Sequence, residues 1–173
     1  YETTSIGSPK ILNEFNNSNF FKHSSKKIIV MTGAVERYNI NYFPNTRSNY
    51  FKTYSPFIIR VLKKIQKYKK YEIILKDYPN SPDKQFWKSV IEYYKLTKVK
   101  YISNEISMNN LINNNQLIIS PWLSTTFFQS LPYKNKILIL DKTHFSPLQK
   151  KLDKDLNFFK SEKSLLNYLD NFL

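Results

Sequence analysis

The chain has 173 residues, 41% hydrophobic and 16% aromatic, which suits one domain with a substantial core and excludes a disordered chain. It has no cysteine, so disulfides and thiolate chemistry are excluded, and no apolar run of transmembrane length. The formal net charge is +14, yet 24 Lys stand against only 3 Arg, and the lysines are scattered among many Asn, Ile, Tyr and Phe. All five residue types share A/T-rich codons, so base composition explains the bias without a nucleic-acid site; attraction to an anionic membrane surface or a phosphorylated substrate fits better.

Residues 1–25 carry turn chemistry, with Gly7-Ser8-Pro9 and Asn16-Asn17-Ser18-Asn19, and read as a linker or interdomain segment. The apolar, β-branched run from Lys27 to Thr32 predicts a first strand ending at Gly33, followed by a long irregular stretch to about Ser55. Ser55-Pro56 predicts an N-cap and first helical position, and Ile58, Val61, Leu62, Ile65 and Tyr68 recur at helical spacing. Tyr71 to Leu75 reads as a second strand. Ser81-Pro82 repeats the capping device before a helix marked by Phe86, Val90, Ile91 and Tyr94, with Phe86 and Trp87 as packing residues.

Val99 to Ile102 is the third predicted strand, and Ser107 caps a short helix containing Leu111 and Ile112. Leu117 to Ser120 is the fourth, followed by a turn and a helix from Thr126 to about Leu131. Lys136 to Leu140 is the fifth, Ser146-Pro147 opens a short helix, and Phe158-Phe159 marks a sixth strand. Leu165, Leu166, Leu169 and Phe172 give a terminal helix. Strands alternating with helices imply right-handed βαβ units: an α/β, Rossmann-like, mostly parallel sheet of five to six strands with helices on both faces. The domain is expected over residues 26–173.

In such a sheet, residues just after each strand converge on one edge. Here that set includes Thr32-Gly33, Lys76-Asp77, Ser103-Asn104-Glu105, the stretch from Pro121 to Thr126, and Asp141. In a Rossmann-like order the first and fourth strands flank the switch point, placing Thr32 and Gly33 opposite Ser124, Thr125 and Thr126. A small residue for close backbone approach then faces a hydroxyl-rich helix start, which suits a phosphate. The plainer reading of Ser124–Thr126 is a helix cap, although three hydroxyls exceed what one cap needs.

Lys76 can reach a phosphate from this edge, or is one more surface lysine. Arg37 and Arg47 lie in the long loop and can contact phosphate or anchor the loop, for example to Glu36. Glu105 and Asp141 are edge carboxylates suited to hydroxyl binding or base chemistry. His23, His144 and Trp122 are read first as linker, loop and packing residues. The two histidines make no metal-ligand spacing, and no Gly-rich dinucleotide, Walker or nucleophile-elbow motif is present in a chain with just 2 Gly.

The pattern strand, turn, Ser124-Thr125-Thr126-Phe127-Phe128-Gln129-Ser130-Leu131, then Asn135-Lys136 and an apolar strand resembles the donor-binding half of GT-B glycosyltransferases. It is most similar to bacterial surface-carbohydrate and glycerophosphotransferase-like transferases, and Lys76-Asp77-Tyr78-Pro79 resembles their Lys-x-His-Pro or Arg-x-Tyr-Pro element. The resemblance covers roughly residues 26–173. It implies that Ser124, Thr125 and Thr126 hold the donor phosphates, that Lys76 neutralises them, and that Gln129 replaces the usual glutamate near a donor hydroxyl. It also implies a nucleotide-sugar donor as substrate without a metal or other cofactor. The partner would be an N-terminal acceptor domain outside this chain, with this chain as the C-terminal part of a longer enzyme. The expected location is cytoplasmic, at the inner face of the membrane, in peripheral contact with anionic lipid; no nucleic-acid partner is expected. Transfer of glycerol phosphate or another activated group is the alternative chemistry, and a basic module for nucleic acid or an anionic surface is the alternative class.

Overall fold

The computed structural model describes residues 26–33, 50–78, 84–112, 117–121, 136–140 and 157–173. Six strands form one sheet: β1 (Lys27–Met31), β2 (Glu72–Lys76), β3 (Val99–Ile102), β4 (Leu117–Ser120), β5 (Lys136–Leu140) and β6 (Asn157–Phe159). Their spatial order is β3-β2-β1-β4-β5-β6, and every neighbouring pair is parallel. This is the expected Rossmann-like α/β sheet.

The strands form where apolar residues run without interruption, because each central strand is covered on both faces. Alternation divides those runs between two cores. Ile28, Val30, Ile73, Leu75, Leu117, Ile119, Leu138 and Leu140 face one side; Ile29, Met31, Ile74, Ile118, Ile137 and Ile139 face the other. The first core is completed by three α-helices: α1 (Ser55–Ile65), α2 (Lys84–Tyr93) and α3 (Glu162–Phe172). The second is lined by Met108, Leu111 and Ile112, around a single 3₁₀ turn, Met108–Asn110. The connections from β4 to β5 and from β5 to β6 lie outside the described residues, as do the 1–25 segment and the Ser81-Pro82 cap.

Three local expectations are corrected. The short helix expected after Ser107 is a single 3₁₀ turn, Met108–Asn110, and Leu111 and Ile112 lie beyond its end. Ser55 does not cap α1: a π-helical turn, Tyr50–Tyr54, leads directly into it, and Tyr54 at the cap position is already helical at φ −85° and ψ −42°. The Ser55 hydroxyl instead donates back to the Phe51 carbonyl at 3.2 Å, as serines inside helices do. The second strand is Glu72–Lys76 rather than 71–75, so Lys76 belongs to the sheet and not to the loop after it.

Helix α3 is fixed by both packing and charge. Leu165 and Leu169 are fully buried, and Ser161 caps the helix by accepting from the Ser164 N–H at 3.2 Å. On the rim, Arg60 of α1 makes a two-point contact with Glu162, with Nη2 2.8 Å from Oε2, and Lys64 lies 2.6 Å from Asp170. Burial outweighs these solvent-facing pairs. Leu165→Ala is expected to lower the unfolding free energy by about 2–5 kcal/mol, and Arg60→Ala by about 1 kcal/mol or less, as measured by denaturant titration.

Candidate functional site

Because all six strands run the same way, their carboxyl ends meet at one edge. β1 has β2 on one side and β4 on the other, so the order reverses between β1 and β4. In open α/β sheets, strand connections diverge at such a point and ligands bind in the crevice between them. Thr32 and Gly33 leave β1 on one side of it, and Ser120 and Pro121 leave β4 on the other; all four are buried. Gly33 has φ 78°, a conformation in which a Cβ would crowd the following carbonyl.

Thr32 is held by the neighbouring strand. Its N–H donates to the Lys76 carbonyl at 3.1 Å, extending the β1–β2 ladder beyond the strand end. Its hydroxyl donates to Asp77 Oδ1 at 2.9 Å, and Oγ1 accepts from the Tyr78 N–H at 3.1 Å. Asp77 is 0% exposed, a buried carboxylate that is worth keeping only if its lone pairs are used. Oδ1 also accepts from the Tyr78 N–H at 2.9 Å, and Oδ2 accepts from the Tyr101 hydroxyl at 2.8 Å. One carboxylate thus ties the ends of β1, β2 and β3 together.

Lys76 points to the opposite face of the sheet and is 2% exposed. Its ammonium donates to the carbonyls of Asp77 at 2.8 Å and Ser103 at 2.9 Å, bridging the ends of β2 and β3. Burial lowers its pKa, opposed by the charge of Asp77. Two of its three donors are therefore committed to backbone, and any phosphate contact falls to the third. Beside Ser103, the buried Oδ1 of Asn104 has no hydrogen-bond partner among the described residues and can accept a donor from a ligand. Glu105 is exposed on the outermost strand's turn, two strands away from the crevice.

Thr32 and Gly33 thus come together at the switch point with the end of β4, while Lys76 stands one strand away. Arg37, Arg47, Trp122, Ser124, Thr125, Thr126, Gln129, Asp141 and His144 lie outside the described residues. The sequence places Asp77 at the ligand edge without a role and Tyr101 only within the third strand; the structure joins them. Their signal is a polar side chain at the sheet's ligand edge and a tyrosine in step with it on β3, but the strand register was needed to join them. Among the described residues, no group of three or more His, Asp or Glu is placed to hold a metal ion, and no helix is long and apolar enough to cross a membrane.

Comparisons of the chain with protein-family models, with curated proteins and with solved structures find no match.

The Tyr101 phenol has its pKa raised, chiefly by burial and then by its hydrogen bond to Asp77 and the charges of Asp77 and Glu105. A phenol whose pKa is higher folded than unfolded contributes stability that is intact below the unfolded value, about 10, and lost as pH climbs above it. Tyr101→Phe leaves Asp77 Oδ2 without this donor and is expected to cost about 1.5–3 kcal/mol at neutral pH. The variant should then lose less additional stability than the parent above pH ~10, read by denaturant titration across that range.

Proposed function

We propose that this chain is the donor-binding half of a nucleotide-sugar-dependent glycosyltransferase acting in surface polysaccharide or glycan synthesis. The observation that carries the reading is the β1/β4 switch point with a left-handed, buried glycine at its lip. A diphosphate needs close approach to backbone N–H groups, and a Cβ at Gly33 would stand in the way of that approach. The Ser124-Thr125-Thr126 segment follows β4 within a few residues in sequence and, opening a helix as its sequence suggests, would supply hydroxyls and backbone N–H groups.

The chemistry asked of such a half is electrostatic. As the sugar leaves, negative charge grows on the departing diphosphate, and fixed N–H and O–H dipoles stabilise it without rearranging. The Thr32–Asp77–Tyr101 network would serve this by holding the β1 end rigid before the donor arrives. The third N–H of Lys76 adds positive charge from the neighbouring strand. The acceptor and its general base would come from a partner domain, so this chain alone would bind donor and not turn it over.

A thermal-shift series with nucleoside diphosphates tests the reading. One diphosphate is expected to raise Tm selectively, because a ligand stabilises the state it binds. Thr125→Ala should weaken that binding by about tenfold, a loss of one or two hydrogen bonds to a charged oxygen. Gly33→Ala should abolish it. Equal, small shifts with every nucleotide and with inorganic phosphate would overturn the donor-site reading.

A further inference from the structure

The opposite edge of the sheet has a different chemistry. Since the strands are parallel, their amino ends share an edge with the carboxyl ends of α1, α2 and α3 and with the turns that follow α1 and α2. Lys26 precedes β1, Lys69 and Lys70 lie in the turn before β2, Lys95 and Lys98 in the turn before β3, and Lys136 begins β5. Of the nearby carboxylates, Glu72 lies 3.8 Å from Lys27 and Asp170 lies 2.6 Å from Lys64, and Glu92 stands exposed in the last turn of α2.

Helix-end compensation accounts for some of these lysines and not for the rest. Lysines compensate helix dipoles at C-termini, which accounts for Lys63 and Lys64 in the last turn of α1. Lys98 serves the same end, its ammonium donating to the carbonyl of Gln66, the C-cap of α1, at 3.1 Å; the last turns of α2 and α3 hold no basic residue, and Lys69, Lys70 and Lys95 lie beyond the helix ends. Among the described residues, the carboxyl ends of the strands carry Thr32, Gly33, Asp77, Ser103, Asn104, Glu105, Ser120 and Pro121, with Lys76 buried, while Lys52, Lys84, Lys160 and Lys163 stand beside the helix starts on that edge.

Aromatic rings are interleaved with these lysines. Tyr93, the last residue of α2, is 79% exposed, and Phe172, the last of α3, is 38% exposed. Lys63 Nζ sits 3.6 Å from the Tyr94 ring centroid, Lys70 Nζ 5.0 Å from that of Tyr71, and Lys136 Nζ 4.7 Å from that of Phe172. Lysine stems beside amphipathic rings at the rim are the composition of a bilayer interface. From β3 to β5 the strip is about 19 Å long, at ~4.8 Å per strand.

We propose that the amino edge of the sheet is a docking surface for an anionic phospholipid bilayer, with Tyr93 and Phe172 entering the headgroup layer. Lipid suits this edge better than nucleic acid. Its cations are point-charge lysines, and Arg60, the one described arginine, is held by Glu162 away from it. The Tyr94, Tyr71 and Phe172 rings each already carry a lysine over a face that a base would need for stacking. Docked this way, the carboxyl edge and its crevice stand one strand length, about 17 Å, farther from the lipid and open toward water.

Vesicle cosedimentation of the full chain at physiological salt tests this, comparing phosphatidylcholine vesicles with vesicles that also contain phosphatidylglycerol. Binding is expected only with the anionic lipid. Lys26→Gln, Lys69→Gln and Lys95→Gln together should lower the partition coefficient about a hundredfold, at about fivefold per lysine near the surface. Lys52→Gln, Lys160→Gln and Lys163→Gln remove the same charge elsewhere and should change it less than about threefold. Tyr93→Ser, at an exposed site, should weaken binding at every salt concentration. Equal losses from the two triple variants would mean diffuse attraction and overturn the proposal. So would the absence of any preference for anionic vesicles, or displacement from them by single-stranded RNA at equal phosphate concentration.

Discussion

A parallel strand in the middle of a sheet has no solvent-facing side, and the rest of this molecule follows from covering β1, β4 and β5 twice. Every side chain of Ile28–Met31 and Leu117–Ser120 is buried, so the ladder must satisfy the backbone and apolar surfaces must supply both covers. Three helices provide one cover, and the segment around Met108 and Ile112 contributes to the other. The same parallel arrangement gathers all the strand ends, where the ladder stops and polar backbone groups must be met by something else. Asp77 and the Lys76 ammonium meet that demand: one gathers an N–H and two hydroxyls, the other two carbonyls. They are of opposite charge and adjacent in sequence, yet they point to opposite faces, so a single dipeptide completes the polar ends of three strands.

That economy explains how the candidate crevice coexists with a dry core. A crevice at the switch point needs a firm wall, and the wall here is a hydrogen-bonded chain from Thr32 through Asp77 to Tyr101. Its members are fully employed, which suits a support. The groups facing the crevice are then free to be small: Gly33 on one lip and Pro121 on the other.

The architecture was legible because its signal is local. β3, β4 and β5 match their apolar runs residue for residue, and α3 follows from Leu165, Leu169 and their spacing. The start of α1 was not legible, since Ser55-Pro56 is also what a capped helix looks like; only the preceding π-helical turn removes the cap. Trp87, fully buried on α2, was read as a packing residue without its depth. At the site, Gly33 could be read from a strand-then-glycine pattern, whereas the Asp77–Tyr101 contact depends on how β2 and β3 align. Lys76 shows the limit most directly. Its position at the ligand edge was readable, but one of its two carbonyl partners, Ser103, comes from the turn after β3, 27 positions later in the chain.

The clasp between α1 and α3 joins residues 102 positions apart, Arg60 with Glu162, over a core face that includes Leu165 and Leu169. During synthesis, β1, α1, β2, α2 and β3 can pair as soon as they emerge, since each meets its neighbour in sequence. The part of that face destined for α3 waits until Glu162–Phe172 has been made, long after β3. Until then a nascent chain carries an uncovered apolar groove. Contacts of such long sequence separation close slowly. Ribosome-bound intermediates of this protein are, by its topology, natural clients for chaperones that shield apolar surface.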